Sequence, residues 1–214
     1  MGLLGKPLTW VSLSLLAAVV LVALLGARVL SPRLAATSGP TAEPSGLRAD
    51  IVIPPASIPA ADFTLVDQDG VPVSVSSLRG KVLAITFLDS HCKQLCPLAG
   101  DQLGQAQRAL GSAGKLSLLV VSVAPGTDTP DSERAFAATH GWRAGWRWLT
   151  GTPSQLAQVW KDYSIAVQGT PDNILHSTVV YLVDKKGFQR AGWAGAIEPN
   201  QLAHDVRLLE SAAA

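Results

Sequence analysis

Two cysteines, Cys92 and Cys96, are the residues of this sequence whose types and spacing most directly indicate chemistry. They are the only cysteines among the 214 residues, and three residues separate them. A segment typical of a buried strand precedes them, and a segment typical of a helix follows. A helix N-terminus favours a thiolate, which is both a nucleophile and a metal ligand. The pair therefore predicts a metal site or a thiol–disulfide site.

A purely structural disulfide is the alternative interpretation of this pair. Such a bond would close a loop of about five residues, which stabilises a fold by roughly 2 kcal/mol, the low end of the useful range. A disulfide that served stability alone would be expected to close a longer loop. The spacing therefore favours a reactive pair over a structural one.

A metal held by two thiolates needs a further donor, and the sequence contains four histidines. Soft thiolates select soft metals, so Cu(I) is favoured, with Zn(II) as the alternative. His176 begins an apolar run typical of a strand, and functional groups collect at strand ends, although spacing leaves open whether this end faces the thiols. His91 adjoins Cys92, but successive residues at a strand end point to opposite sides. His140 and His204 fall in or beside helical surface segments, where we expect them to be solvated.

The composition indicates a folded domain behind an apolar N-terminal segment. The net charge is +1, which argues against the basic surface of a nucleic-acid-binding protein. Hydrophobic residues make up 48% of the chain, and 21 uncharged residues lie between Lys6 and Arg28. As a helix rising about 1.5 Å per residue, this run would span the roughly 30 Å core of a bilayer. We therefore predict an N-terminal transmembrane helix that anchors the protein, over residues 1–30.

A signal peptide is the alternative for this segment. The apolar region of a cleaved signal is usually shorter, and no clean small-x-small cleavage site follows here. A short head before a long apolar segment favours a cytoplasmic head, with the domain on the extracytoplasmic side, periplasmic or outer. Either interpretation exports the domain to an oxidising compartment, where Cys92 and Cys96 can cycle between dithiol and disulfide.

The rest of the chain divides into a tether and one domain. Residues 31–57 are rich in proline and alanine and contain few large apolar side chains, which predicts an extended tether. Residues 58–211 are long enough to enclose a sizeable core. Strand and helix patterns alternate there and end in a hairpin and a helix, which predicts an α/β sandwich with a mixed central sheet flanked by helices. The predicted elements are a hairpin at 63–75, strands at 81–89, 116–123, 178–183 and 188–193, and helices at 97–110, from 129, at 153–163 and around 202–209.

The order of several motifs resembles the Sco/SenC family of thioredoxin-like copper proteins, which support assembly of the binuclear copper centre of cytochrome c oxidase. The stretch from Cys92 to Pro97 fits the C-x-x-x-C-P motif of that family. Residues 122–130 resemble its S-V-D-P-x-x-D-T-P stretch, residues 149–151 its L-T-G, and residues 176–187 its histidine-containing strand segment. The resemblance extends over most of the predicted domain.

This resemblance implies a thioredoxin-like Sco/SenC domain over residues 58–211. It implies one copper per chain, as Cu(I), Cu(II) or both, with Cys92, Cys96 and His176 as ligands. In that fold His176 would stand about where thioredoxins keep the cis-proline that abuts the dithiol. The implied function is a membrane-tethered metallochaperone that delivers copper to the oxidase or prepares its thiols. Its partners would be the copper-accepting subunit of a haem–copper oxidase and a thioredoxin-like reductant.

The chain departs from the family pattern at two places. Proline usually follows the first cysteine and an acidic residue lies within the motif, whereas Lys93, Gln94 and Leu95 occupy these positions here. Lys93 adds a positive charge beside Cys92, which favours the thiolate. The usual aspartate of the S-V-D-P stretch is Ala124. These changes leave the implied ligands intact, but they bear on which partner the rim recognises and on whether copper delivery or thiol exchange dominates.

An enzyme, an extracytoplasmic thiol–disulfide oxidoreductase, is the alternative function. Cys92 and Cys96 would then be catalytic, one attacking a disulfide and the other resolving the mixed disulfide. His176 would serve as an acid–base group. A C-x-x-C spacing would favour this enzyme, whereas the three-residue gap and the histidine favour a metal. A thiol peroxidase is disfavoured because no peroxidatic signature surrounds the cysteines.

Overall fold

The structure, a computed structural model, describes residues 46–111, 116–170 and 173–212. The predicted anchor over residues 1–30 and the first part of the predicted tether, residues 31–45, lie outside these ranges. Within the described ranges, no helix combines the length and the apolar character that crossing a membrane requires.

A six-stranded mixed sheet forms the centre of the described domain. Its strands, in spatial order, are β1 (Ile51–Val52), β10 (Gln189–Ala194), β9 (Val179–Val183), β4 (Leu83–Leu88), β5 (Ser117–Ser122) and β6 (Trp146–Leu149). Strands β4, β5 and β6 run parallel, whereas β9, β10 and β1 each pair antiparallel with their neighbours. The mixed sheet and its flanking helices confirm the predicted α/β class.

Four helices and two hairpins surround this sheet in the described ranges. The helices are α1 (Leu95–Leu110), α2 (Pro130–Thr139), α3 (Pro153–Asp162) and α4 (Pro199–Ser211). One hairpin consists of β2 (Thr64–Val66) and β3 (Pro72–Ser74), and the other of β7 (Val167–Thr170) and β8 (Asn173–His176). Helix α2 begins where the sequence predicts, because Thr129 accepts a hydrogen bond from the Ser132 backbone N–H and proline follows at the first helical position.

The residues of β4 are buried on both faces of the sheet. Ala84 and Leu88 belong to a core cluster that includes residues of α1 and α4. Leu83, Ile85 and Phe87 belong to a second cluster, which includes residues of α3 and of the β2–β3 hairpin. This division follows from the alternation of side chains along a strand. Every residue of the strand that leads to the cysteines is therefore buried, which fixes the point where the chain leaves the sheet.

Four strands were not predicted, namely β1, β6, β7 and β8, and one predicted strand begins one residue later than expected. His176 ends β8 rather than beginning the following strand, which starts at Val179. The β7–β8 hairpin is mostly exposed and its β7 strand contains Gln168, Gly169 and Thr170, so it lacks the apolar alternation that marks a strand. Strand β6 carries Arg147 between two tryptophans and is equally short.

Residues 46–57, assigned to the tether from the sequence, contact the domain instead. Ile51 and Val52 pair with β10 as an edge strand. The backbone N–H groups of Arg48 and Ala49 donate to the carboxylate of Asp205, at 2.9 and 3.0 Å, and Asp205 is fully buried. Backbone groups make most of these contacts, so a search for apolar side chains misses them.

We expect a chain beginning at residue 58 to be less stable than one beginning at residue 46, by about 2 kcal/mol or more. The Asp205 carboxylate would lose its backbone donors and keep only its contact with His204, and the loss of hydrogen bonds to a charged group is costly. Urea unfolding of both chains measures the difference, and Asp205→Ala in each chain should shrink it. Equal unfolding free energies of the two chains would show that the domain begins at residue 58, as the sequence predicts.

Glu133 on α2 is a buried carboxyl group with only 2% of its surface exposed. Burial raises its pKa from 4.5 to about 7, the carboxylates of Asp128 and Asp67 raise it as well, and Arg134 opposes them. Between these two pKa values the folded protein retains a proton that the unfolded chain has released. The free energy of unfolding should therefore fall as the pH rises through this window.

Glu133→Gln should remove this decline, because glutamine does not titrate. The difference in unfolding free energy between pH 5 and pH 8 should shrink by up to about 3 kcal/mol, at roughly 1.4 kcal/mol per pKa unit. Urea unfolding at the two pH values checks this. Glu198→Gln, at an exposed position, is the matched control and should leave the pH dependence as in the parent. If the unfolding free energy of Glu133→Gln falls with pH as much as that of the parent, another group is responsible for the decline.

Candidate metal and thiol site

Cys92 and Cys96 lie at the edge of the sheet where β4 ends and α1 begins. Cys96 is the second residue of α1 and is 1% exposed, whereas Cys92 is half-buried in the preceding loop. The Cys92 backbone N–H donates to the Asp89 carbonyl at 3.3 Å, which closes a tight turn after the strand. Both cysteines are free thiols.

His176 meets Cys96 although 80 residues separate them in the sequence. Its Nε2 lies 3.3 Å from the Cys96 Sγ, and its Nδ1 lies 3.0 Å from the Ser177 carbonyl oxygen. Because a carbonyl oxygen can only accept, Nδ1 carries the hydrogen of the neutral ring. The lone pair of Nε2 therefore faces the sulfur. This backbone contact is the kind of outer interaction that orients a metal-binding histidine.

The environment of Cys96 favours the neutral thiol. Burial raises the pKa of the Cys96 thiol, and the Cys92 side chain also raises it, whereas a hydrogen bond from the Asp89 backbone lowers it. The sequence predicts that the helix N-terminus favours a thiolate, but for Cys96 the loss of solvation outweighs that effect. The Cys96 S–H can therefore donate to the free lone pair of His176. A metal bound here would displace that proton.

Sequence reasoning missed two carboxylates beside the thiols. Asp89, His91 and Asp128 are the one group of described His, Cys, Asp or Glu residues whose ligand atoms all lie within 4.8 Å of one another. Asp128 could have been noticed as the second aspartate of the S-V-D-P-x-x-D-T-P stretch, and Asp89 as the residue that follows the buried strand.

A cleft of about 640 Å³ opens beside Cys92. Its lining residues are Asp89, His91, Cys92, Lys93, Gln94, Thr127, Asn173 and Ile174. Three leucines within two residues of Cys96 or His176 are exposed: Leu95 by 55%, Leu98 by 47% and Leu175 by 61%. A partner that approached His176 and Cys92 would therefore meet both polar and apolar side chains.

The remaining histidines lie apart from the Cys96–His176 contact. The His91 side chain is 54% exposed, with its Nδ1 3.1 Å from the Ser90 Oγ. The prediction that His140 is solvated is wrong: it is 9% exposed, its Nδ1 lies 2.7 Å from Asp101 and its ring packs on Phe136. The side chain of His204 is 34% exposed, and its Nδ1 lies 3.0 Å from an oxygen of Asp205.

The donor set fits a soft metal. Two sulfur atoms and one imidazole nitrogen with a free lone pair are the ligand types that Cu(I) prefers. The described residues contain one group whose ligand atoms all lie within 4.8 Å of one another, and it consists of Asp89, His91 and Asp128. The sulfur and nitrogen atoms of Cys92, Cys96 and His176 therefore do not all lie that close together. Of the three donors, Cys92 stands in the loop before α1, whereas Cys96 lies within the helix.

The mixed sheet, the helices on both faces and the thiol pair at the transition from β4 to α1 define a thioredoxin-like domain. A family model described as SCO1/SenC matches residues 54–210. The chain therefore belongs to the SCO1/SenC family.

Curated relatives agree with this assignment. Mitochondrial SCO2 of Saccharomyces cerevisiae is 32% identical over 135 residues, which cover 58% of this chain and 44% of the relative. The chain thus spans less than half of the yeast protein. The SCO1 protein homologue of Bacillus subtilis is 29% identical over 131 residues, which cover 58% of this chain and 68% of the relative.

Solved structures show the same fold. The copper-bound ScoI of Bradyrhizobium japonicum has a TM-score of 0.62 and 28% identity, covering 72% of this chain and 99% of its own. BsSco is described as a member of the Sco family of cytochrome c oxidase assembly proteins and as having a disulfide switch. Its structure has a TM-score of 0.63 and 26% identity, and the match covers 74% of this chain and 97% of BsSco. These likenesses confirm the predicted thioredoxin-like fold.

We expect Cys92 to be alkylated before Cys96 in the reduced, metal-free protein. Cys92 is half-buried in a loop, whereas Cys96 is almost wholly buried and its pKa is raised. At mildly acidic pH iodoacetamide should modify Cys92 at least about tenfold faster, because only the accessible thiolate reacts. Peptide mass spectrometry follows each site, and Cys92→Ser provides the rate of Cys96 alone. Equal rates at the two sites would show that the loop does not shield Cys96.

Proposed function

We propose that this protein is a membrane-tethered copper-binding protein that delivers copper to the copper centre of cytochrome c oxidase, or prepares the thiols of that centre. The observation that carries the proposal is the contact between His176 and Cys96. It joins an imidazole nitrogen with a free lone pair to one of two neighbouring thiols. The ligands are Cys92, Cys96 and His176, with one copper per chain.

Relatives support the choice of metal and of pathway. Copper is bound in the Bradyrhizobium japonicum ScoI structure, and a relative in Stutzerimonas stutzeri is named a putative copper-binding protein. BsSco is described as belonging to a family of cytochrome c oxidase assembly proteins. The partner proposed here is accordingly the copper-accepting subunit of a haem–copper oxidase, with a thioredoxin-like reductant to keep the cysteine pair reduced.

The residues of the chain would do three things. Ser177 holds the imidazole so that Nε2 keeps its lone pair for the metal. Cys96 releases its proton when the metal binds, so binding should be tighter at higher pH. Cys92, the exposed member of the pair, would be the thiol that an acceptor reaches first. When bound, copper would be held as a soft cation by two thiolates and one imidazole.

The proposed location follows from the N-terminal segment. A largely apolar run of 21 uncharged residues would anchor the chain in a membrane and place the domain on the extracytoplasmic face. Residues 31–45 would then connect the anchor to the domain that begins near residue 46.

His176→Ala should weaken Cu(I) binding by at least about tenfold, while thermal unfolding of the metal-free protein stays close to that of the parent. The variant leaves two thiols without the third donor, and His176 is only half-buried. Competition with a Cu(I) chelator under anaerobic conditions measures the affinity. His91→Ala is the matched control, since His91 adjoins Cys92, and it should bind copper as the parent does. Loss of affinity in His91→Ala with none in His176→Ala would assign the third ligand to His91.

A thiol–disulfide oxidoreductase is the second candidate, because both cysteines are free and Cys92 is accessible. The dithiol would give up two electrons and two protons to a partner's disulfide and become a disulfide itself. With an oxidised acceptor, Cys96→Ser should then trap a mixed disulfide through Cys92. For copper delivery, oxidation of the pair should abolish Cu(I) binding and re-reduction should restore it. A trapped mixed disulfide together with negligible copper affinity would favour the enzyme.

A further inference from the structure

Asp128 has a fully buried carboxylate that contacts Ser90, two residues before Cys92. Its side chain is 0% exposed, and both of its oxygens accept hydrogen bonds. Oδ1 accepts from the Ser90 backbone N–H at 2.9 Å and from the Ser90 Oγ at 2.6 Å. Oδ2 accepts from the Ser122 Oγ at 2.6 Å and from the Trp148 Nε1 at 3.2 Å.

These four donors argue against a metal at Asp128, although Asp128 is grouped closely with Asp89 and His91. An ionised carboxylate has about four lone-pair positions, and each hydrogen bond to Asp128 uses one. A cation bound there would have to break these hydrogen bonds inside a buried site. His91 approaches Asp128 only to 4.0 Å and lies closer to the Ser90 Oγ, at 3.1 Å. The group is therefore held together by hydrogen bonds within the protein.

The donors come from two parts of the molecule. Ser122 is the last residue of the central strand β5, and Trp148 lies on β6 and is fully buried, so both belong to the rigid sheet. Ser90 lies two residues before Cys92, in the segment 89–94 that we call the thiol loop. The Ser132 Oγ, near the start of α2, also lies 2.8 Å from the Ser90 Oγ. Asp128 thus joins the thiol loop to the sheet.

We propose that Asp128 is a positioning residue that fixes the base of the thiol loop to β5 and β6 through Ser90, so that Cys92 stays within reach of Cys96 and His176. The proposal rests on the copper-binding function proposed above. A loop that is already ordered loses less conformational freedom when its cysteine takes up a ligand position. Residues that orient ligands through hydrogen bonds typically contribute 10- to 100-fold to metal affinity.

The test compares two buried aspartates in the full-length protein. Asp128→Asn replaces one accepting oxygen by an amide that cannot accept, so one of the fixed donors, Ser90 N–H or Trp148 Nε1–H, loses its partner. Asp205→Asn is the matched control. Asp205 is equally buried and also binds backbone N–H groups, but those groups belong to Arg48 and Ala49 in the N-terminal segment.

Both variants should lower the melting temperature of the metal-free protein. Only Asp128→Asn should lower Cu(I) affinity, by about tenfold or more, and only Asp128→Asn should change the rate at which iodoacetamide modifies Cys92. Ser90→Ala, at a partly exposed residue, should lower the affinity in the same direction. The double variant of Ser90→Ala with Asp128→Asn should be no worse than Asp128→Asn alone, because both changes break the same connection.

The outcomes separate the two proposals. If the parent does not bind Cu(I), the proposed function fails, while the Cys92 alkylation rates still test whether Asp128 holds the loop. A second outcome is that the parent binds Cu(I) and that, in both aspartate variants, the loss of Cu(I) affinity follows the drop in melting temperature by the same factor. Asp128 then has only a structural role, and the inference is overturned. Should Asp128→Asn fail to fold, unchanged affinity and unchanged alkylation in Ser90→Ala would overturn it equally.

Discussion

The contact between the Cys96 thiol and the His176 imidazole is the interaction on which the functional interpretation depends. It forms because the β7–β8 hairpin delivers His176 to the sheet edge where α1 begins. The Ser177 carbonyl fixes the hydrogen on Nδ1, so the nitrogen that faces the sulfur is the one that can bind a metal. The other tautomer, with its hydrogen on Nε2, would present an N–H group to the sulfur and no lone pair for a metal.

Burial gives the two cysteines different properties although they share one short motif. Cys96 is packed into the core at the start of a helix, where the lack of solvation keeps its sulfur protonated in the absence of a metal. Cys92 lies in the loop and is half-buried. A buried thiol held by a histidine beside a more accessible thiol is suited to retaining a cation and passing it to a partner at the same edge. The same asymmetry suits an attacking and a resolving cysteine, so it is compatible with both functions.

The rigidity of the site comes from the sheet. Strands β4 and β5 are buried on both faces, and the residues that leave them, Asp89 and Ser90 after β4 and Ser122 at the end of β5, meet around Asp128. A second buried aspartate, Asp205, does the corresponding work at the N-terminal edge, where it holds the backbone of Arg48 and Ala49. Asp128 and Asp205 each accept two hydrogen bonds from a segment that has no regular secondary structure, and so satisfy backbone donors that no helix or strand pairs.

The sequence by itself determined the α/β class, the buried strands, the capped helix at Thr129 and the thiol pair, because these depend on local hydrophobic periodicity and on short motifs. It also pointed to His176, but only as a residue near a strand end or by resemblance to a family. Tertiary structure alone decided the partner of that histidine, the inclusion of residues 46–57 in the fold, the burial of His140 and the hydrogen bonds of Asp128. Each of these depends on hydrogen bonds or packing between residues far apart in the chain. Such contacts are set by how strands and helices assemble, and they leave no periodic signal in the segments that make them.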